Sequence, residues 1–326
     1  MGSVLPDTPQ RQTLIGAQAA RLRKIKPHPG RSPNNGLAPT SESRMTYRSL
    51  LVLLDQGPQR AARSQAAMRL AIVLDCHLMG VAPIGPPGPA ESTASLSEFA
   101  PSRGDTLRDQ AERTTERFRE ECRAAGVKSF EAAIDESDTA SSLVRYAHCN
   151  DLTVLSKADP AAPDHRLTQE LIDQIVLHSA RPTLILPCAG RFDTIGSIGT
   201  SVMVAWDDSR EAARALSDAL PFLRLAKHVQ IVSWGEAGAS DDRALRSRFD
   251  ELHQWLIRHG VSADVSAEMI DIDAGVVDAM LSRAADLRTD LIVMGAYGHT
   301  RSKAHTLAGT TSGLLAAITV PVLLSH

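Results

Sequence analysis

Apolar positions along this chain follow two spacings that alternate from about residue 49 onward. Short unbroken runs such as Ser49-Leu50-Leu51-Val52-Leu53-Leu54 fit strands covered on both faces, as in a parallel sheet. Longer stretches with apolar residues at helical spacing separate them. The first cycle predicts a strand over 49–54 closed by Asp55, an alanine-rich helix over 59–74, and a strand over 77–82. The Pro/Gly-rich run 83–89 reads as loop, and a charged helix follows over 106–125. Strands over 130–134, 152–155 and 182–187, with helices over 139–149 and 167–179, complete the cycle.

After a glycine-containing stretch the pattern restarts. It predicts strands over 201–207, 229–233, 261–269, 290–294 and 321–324, and helices over 210–223, 241–259, 276–285 and 311–318. Spacing tests the repeat. Asp151 and Pro182 lie 31 positions apart, as do Asp290 and Pro321, and the two aspartates are separated by 139. The first-strand aspartates, Asp55 and Asp207, are 152 apart, and the surplus falls in the loop after the second strand, where insertions cost little. Alternating strands and helices imply right-handed crossovers and therefore two tandem doubly wound parallel sheets of α/β class. The expected organisation is an extension over 1–44, a first domain over 45–189, a linker over 190–199 and a second domain over 200–326.

Residues 1–44 combine Arg21, Arg23, Lys24 and Lys26 with a Pro/Gly/Asn/Ser-rich run, a composition expected to stay disordered. A basic arm, a loose tail and an upstream start ahead of Met45 all fit it. Over 326 residues the formal net charge is −3 and aromatics make up 4%, which argues against a nucleic-acid binder. Cys76, Cys122, Cys149 and Cys188 form no C-x-x-C pair, so the expectation is lone buried thiols and no metal site. No apolar run reaches the roughly 18 residues of a membrane helix, and no signal-peptide core is seen, which predicts a cytoplasmic protein.

Ligands of doubly wound sheets bind beyond the carboxyl ends of the strands, where strand order reverses. In the second repeat this region carries Asp207-Asp208-Ser209 and Gly295-Ala296-Tyr297-Gly298, followed by a loop to Gly309-Thr310-Thr311. Glycines after a buried strand admit a ligand close to the backbone, and a helix start with hydroxyls suits phosphate. Asp207 fits a ribose or adenine contact and, equally, a turn cap. His299, His305, Arg301 and Lys303 fit phosphate contacts or a solvated loop, and Trp206 and Trp234 fit packing against helices. No nucleophile, general base or metal cluster stands beside these residues in a recognisable spacing.

The runs Val204-Ala205-Trp206-Asp207-Asp208-Ser209-Arg210-Glu211-Ala212-Ala213 and Asp290-Leu291-Ile292-Val293-Met294-Gly295-Ala296-Tyr297-Gly298-His299, with Val320-Pro321-Val322-Leu323-Leu324, carry a resemblance. Over both repeats the chain resembles a tandem universal stress protein. The resemblance implies the adenine-nucleotide alpha-hydrolase-like fold, five-stranded sheets in order 3-2-1-4-5, and dimer-like pairing of the repeats, with a homodimer also open. It further implies an ATP site, with or without Mg, of pattern G-x2-G-x9-G-[ST], which selects Gly295 and Gly298 and places Ala308 at the third glycine unless Gly309-Thr310 is the pair.

In the first repeat the 139 offset puts Ser156, Asp159 and Glu170 at the positions of Gly295, Gly298 and Gly309, and two carboxylates there disfavour phosphate. The expected function is a stress-response regulator binding adenine nucleotide through Asp207, Gly295, Gly298, Gly309, Thr310 and Thr311, non-catalytic or at most a weak ATPase. A nucleotide-free scaffold or chaperone-like protein, and an enzyme acting on an adenylated substrate, are the alternatives.

Overall fold

In the computed structural model, residues 46–85, 101–157, 165–190, 198–236, 242–270, 275–298 and 307–326 are described, with Asp159, Ala161 and Phe192. The first cycle consists of β1 (Ser49–Leu53), α1 (Arg60–Val73), β2 (His77–Pro83), α2 (Pro101–Ala125), β3 (Phe130–Asp135), α3 (Thr139–Ala147), β4 (Leu152–Ser156), α4 (His165–His178) and β5 (Thr183–Leu186). The second consists of β6 (Ser201–Ala205), α5 (Arg210–Asp218), α6 (Leu220–Leu223), β7 (His228–Glu236), α7 (Asp242–Arg258), β8 (Asp264–Ile270), α8 (Val276–Asp286), β9 (Leu291–Gly295), α9 (Leu307–Ala317) and β10 (Val322–Ser325). The expected extension over 1–44 lies outside the described residues, as does most of the expected linker.

The strands form one ten-stranded sheet in the order β3-β2-β1-β4-β5-β10-β9-β6-β7-β8. Read inward from each edge, the order 3-2-1-4-5 occurs twice. All pairs within each half are parallel, while β5 and β10 run antiparallel. The two expected five-stranded sheets are thus joined edge to edge. Leu184 faces Leu323 across that seam, and these positions are 139 apart, the interval between Asp151 and Asp290. A pseudo-twofold axis therefore passes between the two leucines.

The strands are apolar throughout because helices cover both faces. Leu50, Val52 and Leu54 face a core built with α1, α2, α5, α6 and α7. Leu51 and Leu53 face the opposite core, built with α3, α4, α8 and α9. Both cores run across the seam. On the first face Tyr47 sits edge-on to Phe222, with ring centroids 5.8 Å apart, and its hydroxyl donates to the Asp218 carbonyl.

Three expectations are corrected. The helix over 210–223 is broken at Ala219, because Pro221 lacks an N–H and its ring opposes an unbroken helix, so it sits in the first turn of α6. The last helix begins at Leu307, four residues before Thr311. Of the four thiols only Cys76 and Cys122 are buried, their pKa values pushed up to about 12 chiefly by burial, whereas Cys149 is exposed and Cys188 half-exposed.

The two repeat aspartates do matching work. Asp290 accepts hydrogen bonds from the backbone N–H groups of Gly199 (2.9 Å), Thr200 (3.1 Å) and Ser201 (3.1 Å). Asp151 accepts those of Arg48 (2.7 Å) and Ser49 (3.1 Å). Each carboxylate anchors the entry of the first strand of its half to the start of the fourth. Replacing Asp290 by Ala is expected to destabilise the fold by about 2–3 kcal/mol, since three backbone donors, all at least half-buried, lose their charged acceptor, and Asp151→Ala by about 1–2 kcal/mol, since only a half-buried and an exposed donor do. Denaturant unfolding of the two variants gives the ranking, and equal or negligible losses would contradict it.

Candidate functional site

Within the second half, β6 pairs with β7 on one side and β9 on the other, so the strand order reverses between β6 and β9. Val204 stands opposite Val293, which places Asp207 and Ala296 at the same height above the sheet. The helix after β6 starts there too. Ser209 is its N-cap, with its hydroxyl accepting from the Ala212 N–H at 3.0 Å.

Asp207 is exposed, and its carboxylate accepts the Ser209 N–H at 3.0 Å, closing a turn. Asp208 next to it has φ +61° and pairs with Arg248 at 2.9 Å on the surface. Gly295 ends β9 directly against the start of α5. A Cβ there would lie 2.6 Å from the Ala212 nitrogen and 2.6 Å from the Glu211 carbonyl carbon, so only glycine lets strand and helix approach. At Gly298 a Cβ would lie 3.1 Å from Glu211 Oε2.

Glu211 is the residue that sequence reasoning missed here. It is buried in the first turn of α5, and its carboxylate lies beside the glycine loop. Burial alone would raise its pKa, but hydrogen bonds from Arg210 and the backbone, with the charges of Arg210 and His326, hold it below the ordinary value. His326 Nδ1 also lies 3.0 Å from the Ala296 carbonyl. Negative charge at a helix N-terminus is stabilised by the helix dipole. The site thus carries its own anion.

Tyr297, between the two glycines, has the left-handed φ of +53°. Its N–H donates to the Thr311 hydroxyl at 3.3 Å, so that hydroxyl braces the loop. Thr310 and Thr311 are buried in the early turns of α9, and Gly309 is inside the helix rather than ahead of it. Ala308 is helical as well, a setting in which alanine is the best-accommodated residue. Gly295, Gly298 and Thr311 are therefore brought together through Glu211 and Tyr297, with Asp207 at the end of the neighbouring strand. His299, His305, Arg301 and Lys303 lie outside the described residues. Trp206 and Trp234 pack on opposite faces, and the Trp234 indole N–H is buried without a hydrogen-bond partner among the described residues.

The first half differs at the same height. Asp55 closes the matching turn by accepting the Gly57 N–H at 3.0 Å, but the buried Arg63 also donates to it at 2.8 Å and to the Leu53 carbonyl at 3.0 Å. Ser156 occupies the register place of Gly295, pairing with Leu186 as Gly295 pairs with Ser325. The Asp159 carboxylate accepts the Ala161 N–H, and Glu170 is exposed on α4.

This architecture matches solved structures along nearly its whole length. A universal stress protein from Archaeoglobus fulgidus DSM 4304 superposes with a TM-score of 0.66 at 16% identity, covering 85% of this chain and 95% of that one. The chain has the universal stress protein fold. A functionally unknown protein from Pseudomonas aeruginosa PAO1 (TM-score 0.52, 16% identity, 87% of this chain and 94% of that one) shares it. So does a chain described as a universal stress protein from Pseudomonas aeruginosa UCBPP-PA14 (0.50, 17%, 86% and 93%). No protein-family model and no curated protein matches the sequence. Among the described residues no helix is long and apolar enough to cross a membrane, and no group of three or more His, Cys, Asp or Glu could hold a metal ion.

Within the universal stress protein fold, the close approach at Gly295 predicts a graded response. Gly295→Ala is expected to cost about 1–3 kcal/mol, because backbone must move, while Gly298→Ala costs less, because only a carboxylate end must shift. Thermal unfolding of the pair tests this, and a Gly298→Ala loss as large as that of Gly295→Ala would contradict it. The lowered pKa of Glu211 gives a sign as well. Its stabilising contribution is present above the unfolded pKa of about 4.3 and is lost as pH falls through the folded value. The stability gap between the parent and Glu211→Gln should therefore narrow as pH drops from about 6 to about 3, and a constant gap would contradict the assignment.

Proposed function

We propose that this chain is a universal-stress-like regulator that holds an adenine nucleotide, ATP with or without Mg, in its second half without turning it over at a useful rate. The observation that carries the reading is the pair Gly295 and Gly298 at the point where β6 and β9 diverge, on a backbone that approaches α5 more closely than any side chain allows. Asp207 would meet the nucleoside, and Gly309, Thr310 and Thr311 the phosphates near the start of α9. In this reading residues 45–189 form a first universal-stress-like domain, nucleotide-free and paired with the second (200–326) as an internal dimer. Arg63 supports the first domain's silence, since it already occupies the Asp55 carboxylate. A cytoplasmic location accompanies this reading.

Glu211 favours a second reading, a nucleotide-free scaffold. Its buried, ionised carboxylate beside Gly298 opposes a phosphate by Coulomb repulsion. Mass spectrometry of the denatured purified protein distinguishes the two. The first reading expects adenine nucleotide, or a thermal shift on adding ATP and magnesium, with loss of either on Gly298→Asp. Neither nucleotide nor shift would leave the scaffold. Unchanged binding in Gly298→Asp would move the site elsewhere.

A further inference from the structure

The loop between Gly295 and Gly298 is held partly from the other half of the molecule. Tyr297 adopts φ +53°, a backbone state that costs a non-glycine residue roughly 1–2 kcal/mol. Something must hold it there. Its N–H is bonded to Thr311, its ring packs against the second core, and its hydroxyl donates to the carboxylate of Asp173 on α4. Asp173 is itself fixed one turn away, where Gln169 Nε2 donates to it at 2.8 Å. A second tie crosses the seam nearby. Buried Lys157, just after β4, donates through Nζ to the Ala316 carbonyl in the last turn of α9, where a cation also suits the helix dipole. Lys157 is the counterpart of Ala296 by the 139 interval, so its reach belongs to the first half alone. Both candidate ligand-holding elements, the loop after β9 and the helix α9, are thus tethered to the first half.

We propose that Asp173 is a positioning residue for the second half's site: through the Tyr297 hydroxyl it keeps the Gly295–Gly298 loop in its binding-ready shape. The first half then contributes to the site without binding a ligand itself. The mechanical part stands on the contacts alone, and only its consequence for affinity rests on the nucleotide reading above. Loss of the bond leaves Tyr297 free to relax toward negative φ, which withdraws its N–H from Thr311 and swings the glycine backbone out of place.

Hydrogen exchange on the ligand-free full chain tests the mechanical part. Asp173→Ala should speed exchange at the Ala296 and Tyr297 amides by about tenfold, the effect of losing one hydrogen bond to a charged group, while the β6 amides stay at the parent rate. Tyr297→Phe should match it, and the double variant should add little further. Asp173→Asn keeps an acceptor oxygen and should stay within about threefold of the parent. Unchanged loop exchange in Asp173→Ala, or equal acceleration across the whole molecule, would overturn the proposal. If the parent binds ATP, Asp173→Ala should weaken it by about tenfold and Asp173→Asn by less; unaltered affinity beside a loosened loop would overturn the positioning role. A parent that binds no ATP defeats the nucleotide reading and leaves the exchange test intact.

Discussion

Everything in this molecule is arranged around three backbone pairings, Val322 with Ile185, Leu323 with Leu184 and Leu324 with Thr183. In a single 3-2-1-4-5 sheet the fifth strand is an edge, and an apolar edge with unpaired N–H and C=O groups invites association with other chains. Here each fifth strand is the other's neighbour. β5 and β10 are buried along their whole length, so two liabilities cancel inside one chain. The antiparallel sense of the pairing sets the pseudo-twofold axis, and that axis brings the loop after each fourth strand close to helices of the opposite half.

Symmetry at the level of the backbone then permits asymmetry in the chemistry. Both halves anchor the first strand with an aspartate from the fourth, and both close the following turn with a carboxylate on a backbone N–H. These parts build the scaffold and occur in both halves. Beyond them the halves diverge. In the first half buried Arg63 donates to Asp55 and to the Leu53 carbonyl, and Lys157 reaches across the seam; the second keeps Gly295, Ala296 and Gly298 small and carries Tyr297. The seam holds both halves in register whatever side chains the loops above the strands carry.

The elements were legible in the sequence because strands buried on both faces are unbroken apolar runs, and because two aspartates kept a fixed interval from two prolines. The union of the two sheets was not. Nothing in Thr183–Leu186 or Val322–Ser325 marks them as mutual partners, since pairing between distant strands leaves no periodic trace. The break at Ala219 was written in Pro221, and only the apolar spacing of the residues around it hid it. For the site, the glycines were legible as close-approach positions. Glu211 was hidden in the alanine-rich helix start, because a glutamate there reads as an ordinary first-turn charge. Tyr297 and Asp173 were hidden more deeply, since one needs a backbone angle and the other a neighbour 124 positions away.

Those three residues set the terms on which any anion enters. A phosphate near Gly298 meets the Glu211 carboxylate first, and at short range inside a protein that repulsion exceeds what one added backbone hydrogen bond returns. Binding therefore requires a compensating cation or a displacement of Glu211. Arg210 already pairs with Glu211 and is largely exposed, so it has room to turn toward a ligand. A nucleotide with bound Mg brings its own cation to the same place. If the second half holds a nucleotide as proposed, the Glu211 carboxylate would make the site selective for charge-compensated anions, and the proposed tie from Asp173 to Tyr297 would stiffen the loop that receives them.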